Sequence, residues 1–226
     1  MILAEDLLLL LYDDDSGRPV VDGTKVDFGL AGAVLLDLAL QGRVAVAAKG
    51  ERVRQGRLYV TDHESLGDPI LDEALAGIGA DDGRRTPKSI LGMLKKGLRA
   101  RLLYRLADRG ILHREQRRVL GLFPTERWPA VDASHEREVR QRLHAVLSGA
   151  EPDERTAAIV ALLHALDAVP KVVPIDDRRA AKRRAKEVAE GAWAAEAVRK
   201  AIQDIQTATM AAVMAATSAA AASGGS

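Results

Sequence analysis

"GLAGAVLLDLALQGRV", residues 29–44, decides the fold of this chain. Leu30, Val34 and Leu38 recur at i, i+4 and i+8, the spacing of one helix face rather than the alternation of a strand. Gly29, Ala31, Gly32 and Ala33 lie among them. Side chains this small let a neighbouring helix approach closely. Thr24 supplies an N-cap and Gly42 a stop, so the stretch reads as a helix designed to be packed by others.

The same punctuation runs outward from it. Upstream, "EDLLLLLYDDD" is a short apolar helix or strand that ends in an acidic turn, Asp13 to Gly17. Downstream, "GRVAVAAKGERVRQGRLYVTD" alternates around Gly50 and Gly56 and predicts two short strands. "DPILDEALAGIG" is a helix with Asp68 as cap and Pro69 in its first turn. "TPKSILGMLKKG" starts another with Thr86 and Pro87 and stops at Gly97. A basic segment, "RARLLYRLADRG", precedes a hairpin, "ILHREQRRVLGLFPTERW". From residue 134 onward the pattern is helical, with breaks at Pro152, Pro170 and Pro174. The fold class expected is mainly α, a single domain over 1–222 with one or two small β-hairpins and a flexible tail at 223–226.

The 226 residues carry a net charge of only +1 and no cysteine. Disulfides and thiolate metal sites are thereby excluded. The near-neutral total hides a division. Residues 83–118 hold twelve Lys or Arg against two acids, whereas residues 1–30 hold seven acids against two bases. Such a division predicts one electropositive surface on an acidic body. The first residues lack the basic region of a signal peptide, and Leu7 to Leu11 is too short to span a bilayer. The tail "TATMAAVMAATSAAAASGGS" is mostly Ala and reads as a buried or partner-packed helix that frays, not a membrane anchor. A cytoplasmic protein is expected.

No catalytic constellation is legible. There is no G-x-S-x-G elbow and no phosphate-binding loop. The five histidines, at 63, 113, 135, 144 and 164, make no metal-ligand pattern. His164 lies in an apolar helix and reads as a hydrogen-bonded core residue. "DDDSG" departs from a calcium loop and reads as a solvated turn. No enzyme activity, cofactor or metal is expected.

The basic segment has more to say. In a helix that restarts after Gly97, Arg101, Arg105 and Arg109 share a face opposite Leu102, Leu103 and Leu106, which predicts a solvated cationic face. Arg99 falls on the apolar stripe itself, at i, i+3, i+4 and i+7 with those leucines. A guanidinium there must snorkel, pair with an acid or face an anion, because burying it unpaired is costly. Lys95, Lys96 and the free amides of the helix start point to the same region.

"LAEDLLLLLYDDDSG", "GLAGAVLLDLALQGRV", "LDEAL", "RARLLYRLADRGIL" and "DERTAAIVALLHALDAV" together resemble the Golgi phosphoprotein 3 family over nearly the whole chain. The resemblance implies a central helical core wrapped by amphipathic helices, with a hairpin used in self-association. It implies a non-enzymatic peripheral membrane protein that binds phosphatidylinositol 4-phosphate. It places two basic positions of the family's headgroup pocket on Lys96 and Arg99, with Lys95 beside them. The pocket's Trp falls on Asp22 and its remaining Arg on Ala31, an acid and a methyl. The family's basic N-terminal arm has no counterpart, which together with the Ala, Arg and Asp content suggests a bacterial member.

The partner expected is therefore an anionic membrane lipid held through Lys96, Arg99 and Lys95. Hairpin 113–128 has two readings: Leu120, Leu122, Phe123 and Trp128 cluster there in a chain with 3% aromatics, and they either form a homo-oligomer interface or fold back on the domain core. Two other readings stay open: a winged-helix nucleic-acid binder centred on 86–128, and a helical scaffold whose cations only solubilise it. Against the first, the basic helix has no Asn, Gln or Ser to read base edges.

Overall fold

In the computed structural model the backbone is described at residues 1–81, 83–119, 123–191 and 196–223, and side chains at 1–81, 83–116, 126–191 and 203–219. The order is α1 (Leu3–Leu10), α2 (Gly23–Leu40), β1 (Val44–Val46), β2 (Leu58–Val60), α3 (Pro69–Gly79), α4 (Pro87–Leu94) and α5 (Leu98–Asp108). It continues with β3 (Glu115–Val119), β4 (Phe123–Arg127), α6 (Ser134–Leu147), α7 (Glu154–Ala165), α8 (Val169–Val172), α9 (Arg178–Ala189) and α10 (Glu196–Ser223). The protein is mainly α, as the periodicity requires.

α2 and α7 are the central helices. α2 buries residues on every side, including Val26, Leu30, Val34, Leu35 and Leu38. α7 does the same through Ile159 to Leu163. The remaining long helices keep one apolar stripe and a polar face, so they lie around this pair. The small residues of α2 do what their size predicts. A Cβ on Gly32 would lie 2.7 Å from Thr209 Oγ1 of α10 and 2.9 Å from Leu162 Cδ2 of α7. A Cβ on Gly29 would lie 2.7 Å from Leu166 Cδ1. Hydrogen there is what lets three helices meet at van der Waals distance.

α10 packs into the domain as a buried helix, one of the two forms expected for this segment. Ile205, Thr209, Ala212 and Val213 are buried, against α2, α4 and α7. Its helix continues to Ser223, one residue into the expected tail, and 224–226 lie outside the described residues. Among the described residues no helix is long and apolar enough to cross a membrane.

Local chemistry sets the boundaries. The side chains of Asp68, Thr86, Asp153 and Asp177 accept hydrogen bonds from the first free amides of α3, α4, α7 and α9. The cap of α2 is Asp22, which accepts from Thr24 N at 2.8 Å, and not Thr24 as the sequence suggested. An aspartate two residues earlier caps the amide of Thr24 itself, so the helix starts at Gly23. The ambiguous first segment is a helix, α1. Each two-stranded sheet is antiparallel, with Val44 opposite Val60 and Glu115 opposite Arg127.

One open reading closes and one expectation changes. Trp128 folds back on the domain core and does not stand on an exposed hairpin cluster. It is buried, edge-on to Tyr104 at 5.2 Å between ring centroids. Gly17 receives it: a Cβ there would lie 2.3 Å from Trp128 N, and Trp128 N donates to Gly17 O at 3.0 Å. The other members of that cluster, Leu120, Leu122 and the Phe123 side chain, lie outside the described residues. His164 is partly exposed and has no hydrogen-bond partner among the described residues. Burial lowers its pKa, followed by the positive charge of Lys186.

Gly32→Val should destabilise the protein by about 1–3 kcal/mol in urea unfolding, the cost of overpacking a closed interface. Gly92→Ala in α4, where a Cβ meets nothing within 4 Å, should instead stabilise by up to about 1 kcal/mol. Equal effects at the two glycines would contradict this packing.

Candidate basic surface at the junction of α4 and α5

Thr86 and Pro87 start α4 and Gly97, at φ +69°, turns the chain into α5. That left-handed position costs a glycine little. The turn sets Lys95, Lys96 and Arg99 on one corner of the molecule but sends them to different neighbours. Arg99 grips Asp27 of α2 with two hydrogen bonds, Nε to Oδ1 and Nη2 to Oδ2, each 2.8 Å. Both side chains are about two-thirds covered, at 31% and 27% exposure. Gly23 leaves room for the guanidinium, since a Cβ there would sit 3.2 Å from Nη1. Tyr12 lies alongside; burial pushes its phenol above the usual pKa and the Arg99 charge pulls it back. Lys95 Nζ lies 4.3 Å from the ring centroid of Phe28, the residue next to Asp27. Lys96 is exposed, lines a separate cavity beside α3, and has no ion-pair or hydrogen-bond partner among the described residues.

On the helix face carrying Arg101, Arg105 and Arg109, the first and last are exposed as their spacing suggested, whereas Arg105 is covered, and all three pair with acids. Arg101 pairs with Glu73 at 2.7 Å. Arg105 is only 20% exposed, with Nε 2.9 Å from Glu5 and its other nitrogens on Asp68. Arg109 Nη1 lies 3.0 Å from the same Glu5 oxygen. The sequence analysis opposed these arginines to the apolar stripe and missed that acids of α1 and α3 pair with them.

Those acids are the unanticipated residues. Glu5 and Asp6 are 0% and 1% exposed. Glu5 also accepts from Ile2 N at 2.9 Å, closing the start of α1. Asp6 meets His135 Nε2 at 2.7 Å and Arg155 Nη2 at 2.7 Å. Asp37, on α2, accepts from Leu3 N at 2.6 Å. Burial pushes its carboxyl up to about 6, against the opposing pull of that amide and of Arg155. The available signal was two acids placed directly before five leucines.

Across residues 83–118, Arg85, Arg99, Arg101, Arg105, Arg109 and Arg114 each hold a carboxylate. The local excess of positive charge is largely neutralised by acids from elsewhere in the chain. Among the described residues the cations of this stretch without a carboxylate are Arg84, Lys88, Lys95 and Lys96, all on α4 or its flanks. Lys88 and Lys95 are seven apart, two turns along one face.

Other clusters offer less. An open cleft of about 800 Å³ is lined by Asp37, Asp68, Arg105, Arg109 and Arg155. Asp68 is held below its usual pKa: burial raises it, but the bond to Arg105 and the amides of Ile70 and Leu71 prevail. His63, Ser65 and Asp72 line a smaller hollow. Ser65 Oγ donates to Asp72 Oδ2 at 2.7 Å and Leu66 N donates to Asp72 Oδ1 at 2.7 Å, so this carboxylate ties down the loop before α3. Among the described residues no group of three or more His, Cys, Asp or Glu could hold a metal ion.

The two positions that the family resemblance assigned to an aromatic and a cation have structural duties. Asp22 caps α2. Ala31 is fully buried.

A family model described as Golgi phosphoprotein 3 (GPP34) matches residues 3–205. Among curated proteins, the chain is 26% identical over 167 residues to vacuolar protein sorting-associated protein 74 of Eremothecium gossypii, covering 65% of this chain and 49% of that protein. The protein of the same name from Schizosaccharomyces pombe is 26% identical over 164 residues, 66% of this chain and 48% of that protein. The chain spans about half the length of these curated relatives. Both are fungal, and the bacterial origin expected from composition is not borne out.

Arg99→Ala should cost about 1–3 kcal/mol in urea unfolding, because it leaves the part-buried Asp27 carboxylate unpaired. Lys96→Ala should fall within about 0.5 kcal/mol of the parent. Equal losses would contradict the division between a paired Arg99 and a free Lys96.

Proposed function

The chain belongs to the Golgi phosphoprotein 3 (GPP34) family, and on that premise we propose that it is a non-enzymatic peripheral membrane protein which binds an anionic phospholipid headgroup of the phosphatidylinositol 4-phosphate kind. The observation that carries this reading is the position of the uncommitted cations. Six arginines of the basic stretch are held by carboxylates, whereas Lys88, Lys95 and Lys96 remain available at α4 and its turn into α5. An ammonium close to an anionic bilayer gains about 1 kcal/mol, and the effect decays within a Debye length.

Lys95 and Lys96 are the lipid-facing residues in this proposal. Arg99 stands beside them, held by Asp27, and contributes its remaining donor edge and the orientation of the turn. The headgroup is then met by flexible ammonium groups rather than by a cage of arginines. Binding by such point charges depends on the phosphate's charge more than on its ring stereochemistry. Pairing of the α5 arginines also speaks for a lipid surface over nucleic acid. A duplex-binding helix would need Arg101, Arg105 and Arg109 free for phosphates.

Flotation with phosphatidylcholine vesicles, alone or doped with phosphatidylserine or phosphatidylinositol 4-phosphate, tests the proposal. The protein should float with both anionic sets and not with the neutral one. Lys95→Ala with Lys96→Ala should weaken binding about thirtyfold, two charges at about 1 kcal/mol each. Lys186→Ala on α9 should leave it unchanged. Binding that ignores vesicle charge, or that survives the double substitution, overturns the proposal.

A further inference from the structure

Beside Lys96, between α2, α3, α4 and α5, lies a cavity of about 190 Å³. Its walls are apolar: Val34, Ile70, Ala74, Met93 and Leu98 face it. Most of these belong to the core, with Val34 and Leu98 at 1% and 3% exposure. Gly77 helps to form the slot, because a Cβ there would approach the Met93 methyl carbon at 3.4 Å. The mouth is polar, and its charges can be counted. Arg101 and Glu73 cancel one another at 2.7 Å. Lys96 has no partner among the described residues. The rim thus carries one uncompensated positive charge over a half-open pocket with an apolar floor.

We infer that this slot is a binding site for a single-chain monoanionic amphiphile, a medium-chain fatty carboxylate, with the chain end among Val34, Ala74 and Met93 and the carboxylate on Lys96. Size, polarity and charge agree on that class. An apolar cavity of about 150 Å³ holds a benzene ring, so this one has room for about six to eight carbon atoms. A single carboxylate balances Lys96 one for one beside the self-cancelling Arg101–Glu73 pair. A neutral alcohol of the same length would fill the slot and leave the ammonium unpaired. The inference rests on the lipid-binding reading only in sharing Lys96. It adds a second ligand, monomeric and chain-specific, to the headgroup surface.

The chain has four methionines, and Met93 alone lines the slot, so methyl-labelled methionine gives a local reporter. The whole protein is titrated with sodium octanoate below its micelle concentration, with butyrate and 1-octanol as comparisons. The Met93 methyl resonance should shift saturably with octanoate and not with butyrate. Lys96→Ala should weaken octanoate binding about two- to fivefold and leave octanol binding unchanged. Gly77→Leu, which fills the slot, should abolish the octanoate shift while vesicle flotation persists. An unresponsive Met93 in the parent protein, or a response that survives Gly77→Leu, overturns the inference. In the parent protein, no octanoate response with intact flotation would sink the slot alone, and no flotation with an intact Met93 shift would sink the headgroup surface alone. If Gly77→Leu does not fold, equal affinity of parent and Lys96→Ala for octanoate still contradicts the site.

Discussion

Two carboxylates with almost no exposed surface hold the fold in register. Glu5 and Asp6 sit in the first turn of α1, a helix whose every residue is buried. Charges in such a place must be paired and hydrogen-bonded, or the helix cannot dock. Arg105 and Arg109 come to Glu5 from α5, and Arg155 and His135 come to Asp6 from α7 and α6. Three helices distant in sequence are thereby obliged to meet α1 at one rotation and one depth. An apolar α1 would bury as well but would have fewer reasons to choose that register. Buried ion pairs of this kind are weak sources of net stability and strong sources of penalty when one partner is removed.

This constraint also shapes the surface. The cations that crowd residues 83–118 look, in one dimension, like a polyanion-binding helix. In three dimensions acids from elsewhere in the chain hold six of the described arginines, and among the described residues Arg84 and the lysines are left without a carboxylate. Arginine's planar fork suits the two-point pairing seen at Asp27 and Asp68, and lysine suits the exposed role. The division between structural arginines and free lysines leaves the corner of α4 and α5 as the electropositive part of this basic stretch. The apolar slot beside Lys96 lies at that same corner, so headgroup-like and chain-like chemistry stand together there.

Much of the fold was legible because its signals are local. Leu30, Val34 and Leu38 gave α2, Pro69 and Pro87 placed two helix starts, and Gly97 marked the break before α5. The small residues of α2 announced close contact, although only the structure identifies Thr209 and Leu162 as what fills the space. The failures share a cause. Arg105 was assigned to solvent because helical periodicity describes one helix and says nothing of what lies across from it. Asp22 displaced Thr24 as cap because both residue types cap helices well and the two lie only two residues apart. Arg99 was singled out correctly as a misfit on an apolar stripe. Its partner Asp27 lies 72 residues away, and pairing over that separation leaves no local trace. The cavity beside Lys96 was equally invisible, since it is assembled from α2, α3, α4 and α5.

A double-mutant cycle between Glu5 and Arg105, read by urea unfolding, tests the central claim most directly. Glu5→Gln alone should cost about 3–5 kcal/mol, because it strands two guanidiniums against a buried wall. Combined with Arg105→Met, the loss should fall short of the sum of the single losses by about 2 kcal/mol or more. Additivity within about 0.5 kcal/mol would mean that the two groups do not act on one another. The buried acid pair would then not be what orients α1 against α5, and the division between structural arginines and free lysines would lose its basis.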